Sequence, residues 1–195
     1  MTMLDASAVT RWRWHADQFE EADRLGWFGD QRVELWNGDV IPVPPMNLPH
    51  AHGVGSATDA IVPSIDRTRF ATGVQIPVLL GDLDLPEPDI WVARGSRVTF
   101  ATRRPTADDL VLAIEISDST LAHDRDVKVP RYAAAGVTEV WIVDVNARKV
   151  HIYSQPDRVA AAYGSMRTLH EGDIATVPEA GVAVTVSDLF VPRDD

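Results

Sequence analysis

Apolar residues recur along the chain with two different periods, and each change of period marks an element. In residues 16–25, Phe19, Ala22 and Leu25 fall at helical spacing ahead of Gly26, which predicts a short amphipathic helix with a glycine stop. Val33-Glu34-Leu35-Trp36 and Asp39-Val40-Ile41 flank Asn37-Gly38, a pair favoured where a two-residue turn needs positive φ twice, so a β-hairpin is expected there. Pro42, Pro44 and Pro45 end the hairpin, and residues 50–65 read as a second helix shortened by Pro63.

Residues 69–80, 89–93 and 110–117 read as extended. The last is a nearly unbroken apolar run, the mark of a central strand covered on both faces. A third helix is expected over 126–135, with Asp126 as N-cap and Gly136 as stop, followed by a buried strand at 139–144. Residues 149–153, 167–170 and 183–186 read as antiparallel strands, with turns around Gln155-Pro156-Asp157 and Glu171-Gly172-Asp173. No linker or repeat interrupts the pattern, so residues 1–195 are expected to form one α/β domain, a mixed central sheet flanked by helices.

Composition narrows the chemistry. With no cysteine, disulfides, thiol nucleophiles and cysteine-ligated metal are excluded, and any metal falls to oxygen or histidine ligands. The net charge of −11 repels polyanions and anionic membranes at long range, so contact with nucleic acid has to be local. No apolar run approaches the roughly 18 residues needed to cross a bilayer, and the opening residues carry no leader-like apolar stretch, which points to a cytoplasmic protein. Residues 94–106 carry Arg94, Arg97, Arg103 and Arg104 without an acidic side chain; the segment is either a solvated loop or a local track for phosphates.

Three residues stand out against this background. Glu115 lies inside Val111-Leu112-Ala113-Ile114-Glu115-Ile116, where a strand hides it from water, so it needs a partner or a metal; an edge position or a buried ion pair also satisfies it. Strand alternation puts Ala113, Glu115 and Ser117 on one face and Leu112, Ile114 and Ile116 on the other. Asp89 follows Pro88 at the entrance to a second strand, as a turn residue or as a partner acid; two acids on adjacent strands make the oxygen-rich setting that magnesium prefers. Lys128, one of only two lysines with Lys149, falls in the first turn of the third helix if Asp126 caps it, a place the helix dipole disfavours for a cation. If the helix starts earlier, an i,i+4 salt bridge from Asp124 accounts for it instead.

Other signals are weaker. Gly53-Val54-Gly55 lacks the third glycine and the feeding strand of a dinucleotide fingerprint, and His50 and His52 form a His-x-His pair without a companion cluster. Serine-hydrolase elbows, phosphate-binding P-loops and zinc-protease helices are missing, and the six tryptophans are scattered like core anchors.

Taken in order, Pro88-Asp89, Glu115-Ile116-Ser117, Asp124, Lys128, Tyr132, Gly136-Val137, Glu139 and Trp141-Ile142-Val143-Asp144 resemble the Uma family of putative restriction endonucleases, within the PD-(D/E)XK nuclease superfamily. Glu34-Leu35-Trp36-Asn37-Gly38-Asp39-Val40, the Pro44-Pro45 loop and His52 extend the resemblance, which is nearly continuous from residue 33 to residue 144. It implies a restriction-endonuclease-like fold in which Asp89, Glu115 and the Ile116 carbonyl hold Mg2+ or Mn2+, Glu34 assists through water, and His52, Ser117, Asp124 and Tyr132 stand in support. The superfamily often has a lysine two residues after the glutamate; here that position is Ser117, and Lys128 from the neighbouring helix would supply the ammonium. His123 stands where the family often shows tyrosine.

The chemistry so implied is metal-assisted hydrolysis of DNA phosphodiester bonds, with Lys128 holding or deprotonating the attacking water and Arg94, Arg97, Arg103 and Arg104 meeting the backbone. A homodimer follows by family analogy. Two other readings remain: a nuclease-fold binding or regulatory module whose catalysis is weak or lost, favoured by the charge and by Ser117, and a hydrolase of small phosphoesters.

Overall fold

A computed structural model describes residues 11–192 and shows a six-stranded mixed sheet with helices packed on it. The opening residues on which the leader argument rests lie outside the described residues. Helix α1 (Ala16–Arg24) buries Ala16, Phe19 and Ala22 and stops before Gly26, whose φ is 75°. The hairpin of β1 (Val33–Trp36) and β2 (Asp39–Pro42) pairs Trp36 with Asp39 across Asn37 and Gly38, whose φ values of 51° and 72° are those of the tight turn their sequence predicts.

Helix α2 (Leu48–Ile61) starts earlier than residue 50, because the Asn47 side chain accepts from the His50 N–H at 2.9 Å and Pro49 fits the first turn. Pro63 does shorten it, into a 3-10 turn at Val62–Ser64. Strand β3 (Phe70–Val74) is shorter than the 69–80 expected, since Gln75 turns the chain at a φ of 50° and Pro77 follows.

Strands β4 (Ile90–Arg94) and β5 (Leu110–Ser117) follow, and every residue of β5 is buried, as its apolar run predicts. The third helix, α3, begins as Leu121–His123, passes through a π turn at Asp124–Lys128 and continues as Val129–Ala135. Asp126 is therefore not its N-cap. Pro130 has no N–H to donate in either helix form; the turn just before it is wider, with the Val129 N–H reaching back to the Asp124 carbonyl, which leaves more room for the proline ring.

Strands β6 (Glu139–Asp144), β7 (Lys149–Asp157) and β8 (Ala162–His170) complete the sheet. Its order is β3-β4-β5-β6-β7-β8, antiparallel except for the parallel β5–β6 pair joined through α3. Gln155-Pro156-Asp157 belongs to β7 rather than to a turn; the Asp157 carboxylate accepts from the Val159 and Ala160 N–H groups at 2.9 Å and moves the turn onward. Strands β9 (Ile174–Val177) and β10 (Val182–Thr185) form a separate hairpin, of which only the second strand is legible in the sequence.

Two apolar layers sandwich the sheet. Val92, Ile114, Ile116 and Trp141 pack under α2 and the β9–β10 hairpin, while Trp91, Ala113, Val140 and Ile142 pack under α3. Gly53 sets how closely α2 can lie on β5, since a Cβ there would come within 2.6 Å of the Ile116 Cγ2. Gly53→Ala is therefore expected to cost about 1–3 kcal/mol by overpacking, read as a lower midpoint in chemical denaturation. A midpoint equal to wild type would show that α2 does not need this close approach.

Candidate active site

Strand pairing brings the two singled-out acids together. The β4–β5 register pairs Ile90 with Ile114, and one further step sets Asp89 opposite Glu115. Asp89 is 6% exposed. Its Oδ2 accepts from the Ile116 N–H at 2.8 Å, and its Oδ1 lies 3.0 Å from His50 Nε2 and 3.1 Å from Gln75 Nε2. Burial works against its charge, but these partners outweigh burial and hold the carboxyl below its ordinary pKa. The same hydrogen bond raises the His50 imidazole above its ordinary value.

Glu115 lies on the face of β5 covered by α3. Its Oε2 accepts from Lys128 Nζ at 2.8 Å and its Oε1 from the Tyr132 hydroxyl at 2.6 Å. Lys128 also stands 3.6 Å from Asp124, four residues earlier, so it belongs to the middle of a helix and the dipole argument for it falls away. The π turn carries Asp124 at one end and Lys128 at the other, and both face the strand. Asp124 in turn accepts at 2.6 Å from both Ser117 Oγ and Thr120 Oγ1.

Glu34 joins the group from β1. It is buried, with Oε2 accepting from Trp36 Nε1 at 2.6 Å and Oε1 from the Glu87 N–H at 3.2 Å. Four buried carboxylates, Glu34, Asp89, Glu115 and Asp124, thus converge with Lys128 and His50 on a single pocket of about 150 Å³, which His123 also lines. Burial pushes the Glu115 carboxyl up to about 8; Lys128 opposes the shift, and Asp124, Asp89 and Glu34 add to it. Burial opposes the charge of Lys128 too, yet Glu115, Glu34 and Asp124 keep its pKa above the ordinary lysine value. Lys128 is therefore held as an ammonium, which suits holding a group and not taking up a proton.

Most of the residues marked in the sequence meet here: Asp89, Glu115, Ile116 and Lys128 line the pocket with Glu34 and Asp124, while Ser117 and Tyr132 brace it from behind. His52 does not meet them. Two residues along a helix point to different sides, and His52 lines a separate hollow with Phe190 and Val191. His50 takes its place, and the signal was present: His50, Gly53, Val54, Ala57 and Ile61 share one helical face once Asn47 and Pro49 fix the start.

The arginines are also elsewhere. Arg94 ends β4, about 16 Å along the strand from Asp89. It pairs with Glu179 at 2.5 and 2.7 Å, Arg103 pairs with Asp109 at 2.6 Å, and Arg104 pairs with Glu20. Arg97 is exposed and makes no ion pair among the described residues. None of the four lines the pocket.

A divalent cation is a chemical match for these groups. The donors are oxygens, the negative charge exceeds the positive, and the pocket opens to solvent. Among the described residues no three carboxylate or imidazole side chains gather in one coordination sphere. A hard cation held here would rely on one or two of these carboxylates and keep water in its other positions.

The family model described as "Uma2: Putative restriction endonuclease" matches residues 17–187. Among solved structures, the chain resembles a protein from Anabaena variabilis titled a putative nuclease belonging to DUF820, at 18% identity and a TM-score of 0.59, over 83% of this chain and 90% of that one. That likeness shows the fold. No curated protein matches.

The charge balance makes a prediction about stability. Lys128→Met leaves Glu115 and Asp124 buried without their cation and is expected to cost about 3–5 kcal/mol in denaturant unfolding. Glu115→Gln keeps an acceptor for Tyr132 and relieves repulsion among carboxylates, so it should cost far less than Lys128→Met. Equal losses would contradict this account.

Proposed function

We propose that this chain, which belongs to the Uma2 family of putative restriction endonucleases, is a nuclease that hydrolyses DNA phosphodiester bonds with Mg2+ or Mn2+ at the Asp89–Glu115 pair. The observation that carries the reading is the convergence of four buried carboxylates on one open pocket with a single lysine among them. Asp89 and Glu115, with the Ile116 carbonyl, would hold the ion, and Glu34 would reach it through water. A bound ion would neutralise the charge that develops on phosphorus and lower the pKa of a bound water.

The chain's own groups do the positioning. The Ile116 N–H, His50 and Gln75 fix the Asp89 carboxylate, and Tyr132 fixes one oxygen of Glu115. Lys128 lies beside the other oxygen and can orient a water or a phosphate oxygen as an ammonium donor. Ser117 and Thr120 hold Asp124, which adds to Glu115 and Glu34 in keeping Lys128 charged against its burial. Cleavage of both strands by two such subunits belongs to this proposal as well.

A second reading is favoured by one observation: both oxygens of Glu115 are already engaged by Lys128 and Tyr132, as in a closed ion pair. On that reading the pocket belongs to a binding or regulatory module with weak or lost catalysis. Cleavage of DNA with Mg2+ or Mn2+, supplied both as supercoiled plasmid and as a single-stranded oligonucleotide, separates the two. We expect nicking that Asp89→Asn and Glu115→Gln abolish and that Lys128→Ala reduces at least about a hundredfold. No cleavage by the wild type, or cleavage unchanged in all three variants, would overturn the proposed roles. Because Arg94, Arg103 and Arg104 are paired away from the pocket, replacing them with alanine should leave cleavage within about threefold of wild type; a loss as large as that of Lys128→Ala would place the backbone track at that loop.

A further inference from the structure

The pocket has two unlike walls. One part of the lining, the floor, holds the carboxylates, Lys128 and His50, and another, the wall, is the consecutive run from the end of β2 into the loop before α2: Ile41, Pro42, Val43, Pro44, Pro45 and Met46. Ile41 and Met46 are 37% and 41% exposed, large apolar side chains left in water beside a strongly charged floor. Three prolines, with Pro42, stiffen the run, and the Val43 N–H is tied to the Arg32 carbonyl at 2.9 Å. The wall is thus formed before any ligand arrives, which lowers the ordering cost of binding.

This arrangement discriminates between forms of nucleic acid. A paired duplex shows a protein its phosphates and base edges; the flat apolar face of a base becomes available only where the stack is broken. Duplex binding also depends on many phosphate contacts, because one negative charge falls every roughly 1.7 Å of the helix. The cations that line the pocket are few, and two are already engaged, Arg32 by Glu87 at 2.7 Å and Lys128 by Glu115 at 2.8 Å. The arginine-rich stretch lies at the other end of β4 and the net charge is −11, so little remains to grip a duplex here. The volume of about 150 Å³ is that of engineered apolar cavities that hold one benzene-sized ring, so a single base fits in it.

From these observations we infer that the site takes a single-stranded or frayed DNA strand, with one unstacked base lying against the Ile41–Met46 wall and its phosphate directed to the acidic floor. The inference rests on the nuclease reading and adds to it the form of substrate and the residues that select it. Met46 supplies an adaptable thioether against the ring face, and Ile41 and the prolines supply a fixed apolar surface.

The test is fluorescence anisotropy with a short fluorescein-labelled single-stranded oligodeoxynucleotide and a blunt duplex of the same length, with calcium in place of magnesium to slow hydrolysis. The single strand is expected to bind at least about tenfold more tightly than the duplex. Ile41→Ala and Met46→Ala, both at exposed side chains, should weaken single-strand binding about five- to tenfold each while leaving the melting temperature unchanged. Equal affinity for the two forms, or wall variants that bind like wild type, would overturn the inference and leave the nuclease reading standing if plasmid cleavage still requires Asp89. Binding of neither form, together with no cleavage of plasmid or single-stranded oligonucleotide, would overturn both.

Discussion

An excess of buried negative charge is the constraint around which this molecule is organised. Glu34, Asp89, Glu115 and Asp124 are all taken out of water at one end of the sheet, and a carboxylate in that position is costly unless it is matched. Every one of them receives hydrogen bonds, and Lys128 carries the main positive charge between them. Folding to bury apolar surface alone would not assemble such a group. It is held because the two apolar layers of the sheet carry it, and the proposed function gives it a hard cation as complement.

The surrounding elements serve that group in identifiable ways. The parallel β5–β6 pair requires a crossover, and α3 is that crossover, laid across the face of β5 that bears Glu115. Its π turn, just before Pro130, carries Asp124 and Lys128 toward the strand. On the other face, Asn47 fixes the start of α2 and Gly53 lets it lie close on Ile116, which brings His50 to Asp89. A local requirement of chain geometry and a requirement of the site are met by the same residues in each case.

Much of this was legible in the sequence, for physical reasons. The nearly unbroken apolar run of residues 110–117 reads as a central strand and Asn37-Gly38 as a hairpin turn, so the strands that carry Glu115 and Glu34 are legible from pattern. Asp89 and Glu115 were separately recognisable, but their pairing depends on register, a long-range property no local signal encodes. The start of α3 was misplaced because Pro130 reads as a first-turn residue, and a π turn leaves no mark in apolar spacing. The His-x-His pair alone does not tell His50 from His52; the helical face that His50 shares with Gly53, Val54 and Ala57 does. The arginines of residues 94–104 showed a charge pattern, and only the fold reveals that Glu179, Asp109 and Glu20 neutralise three of them.

The central claim is that Asp89 and Glu115, distant in sequence, act on one divalent ion. Calorimetric titration of the folded chain with Mn2+ addresses it without relying on turnover. The account predicts binding that disappears when either Asp89 or Glu115 loses its charge and persists when the exposed Asp108 does. Binding that survives both substitutions, or no heat in the wild-type protein, would contradict it.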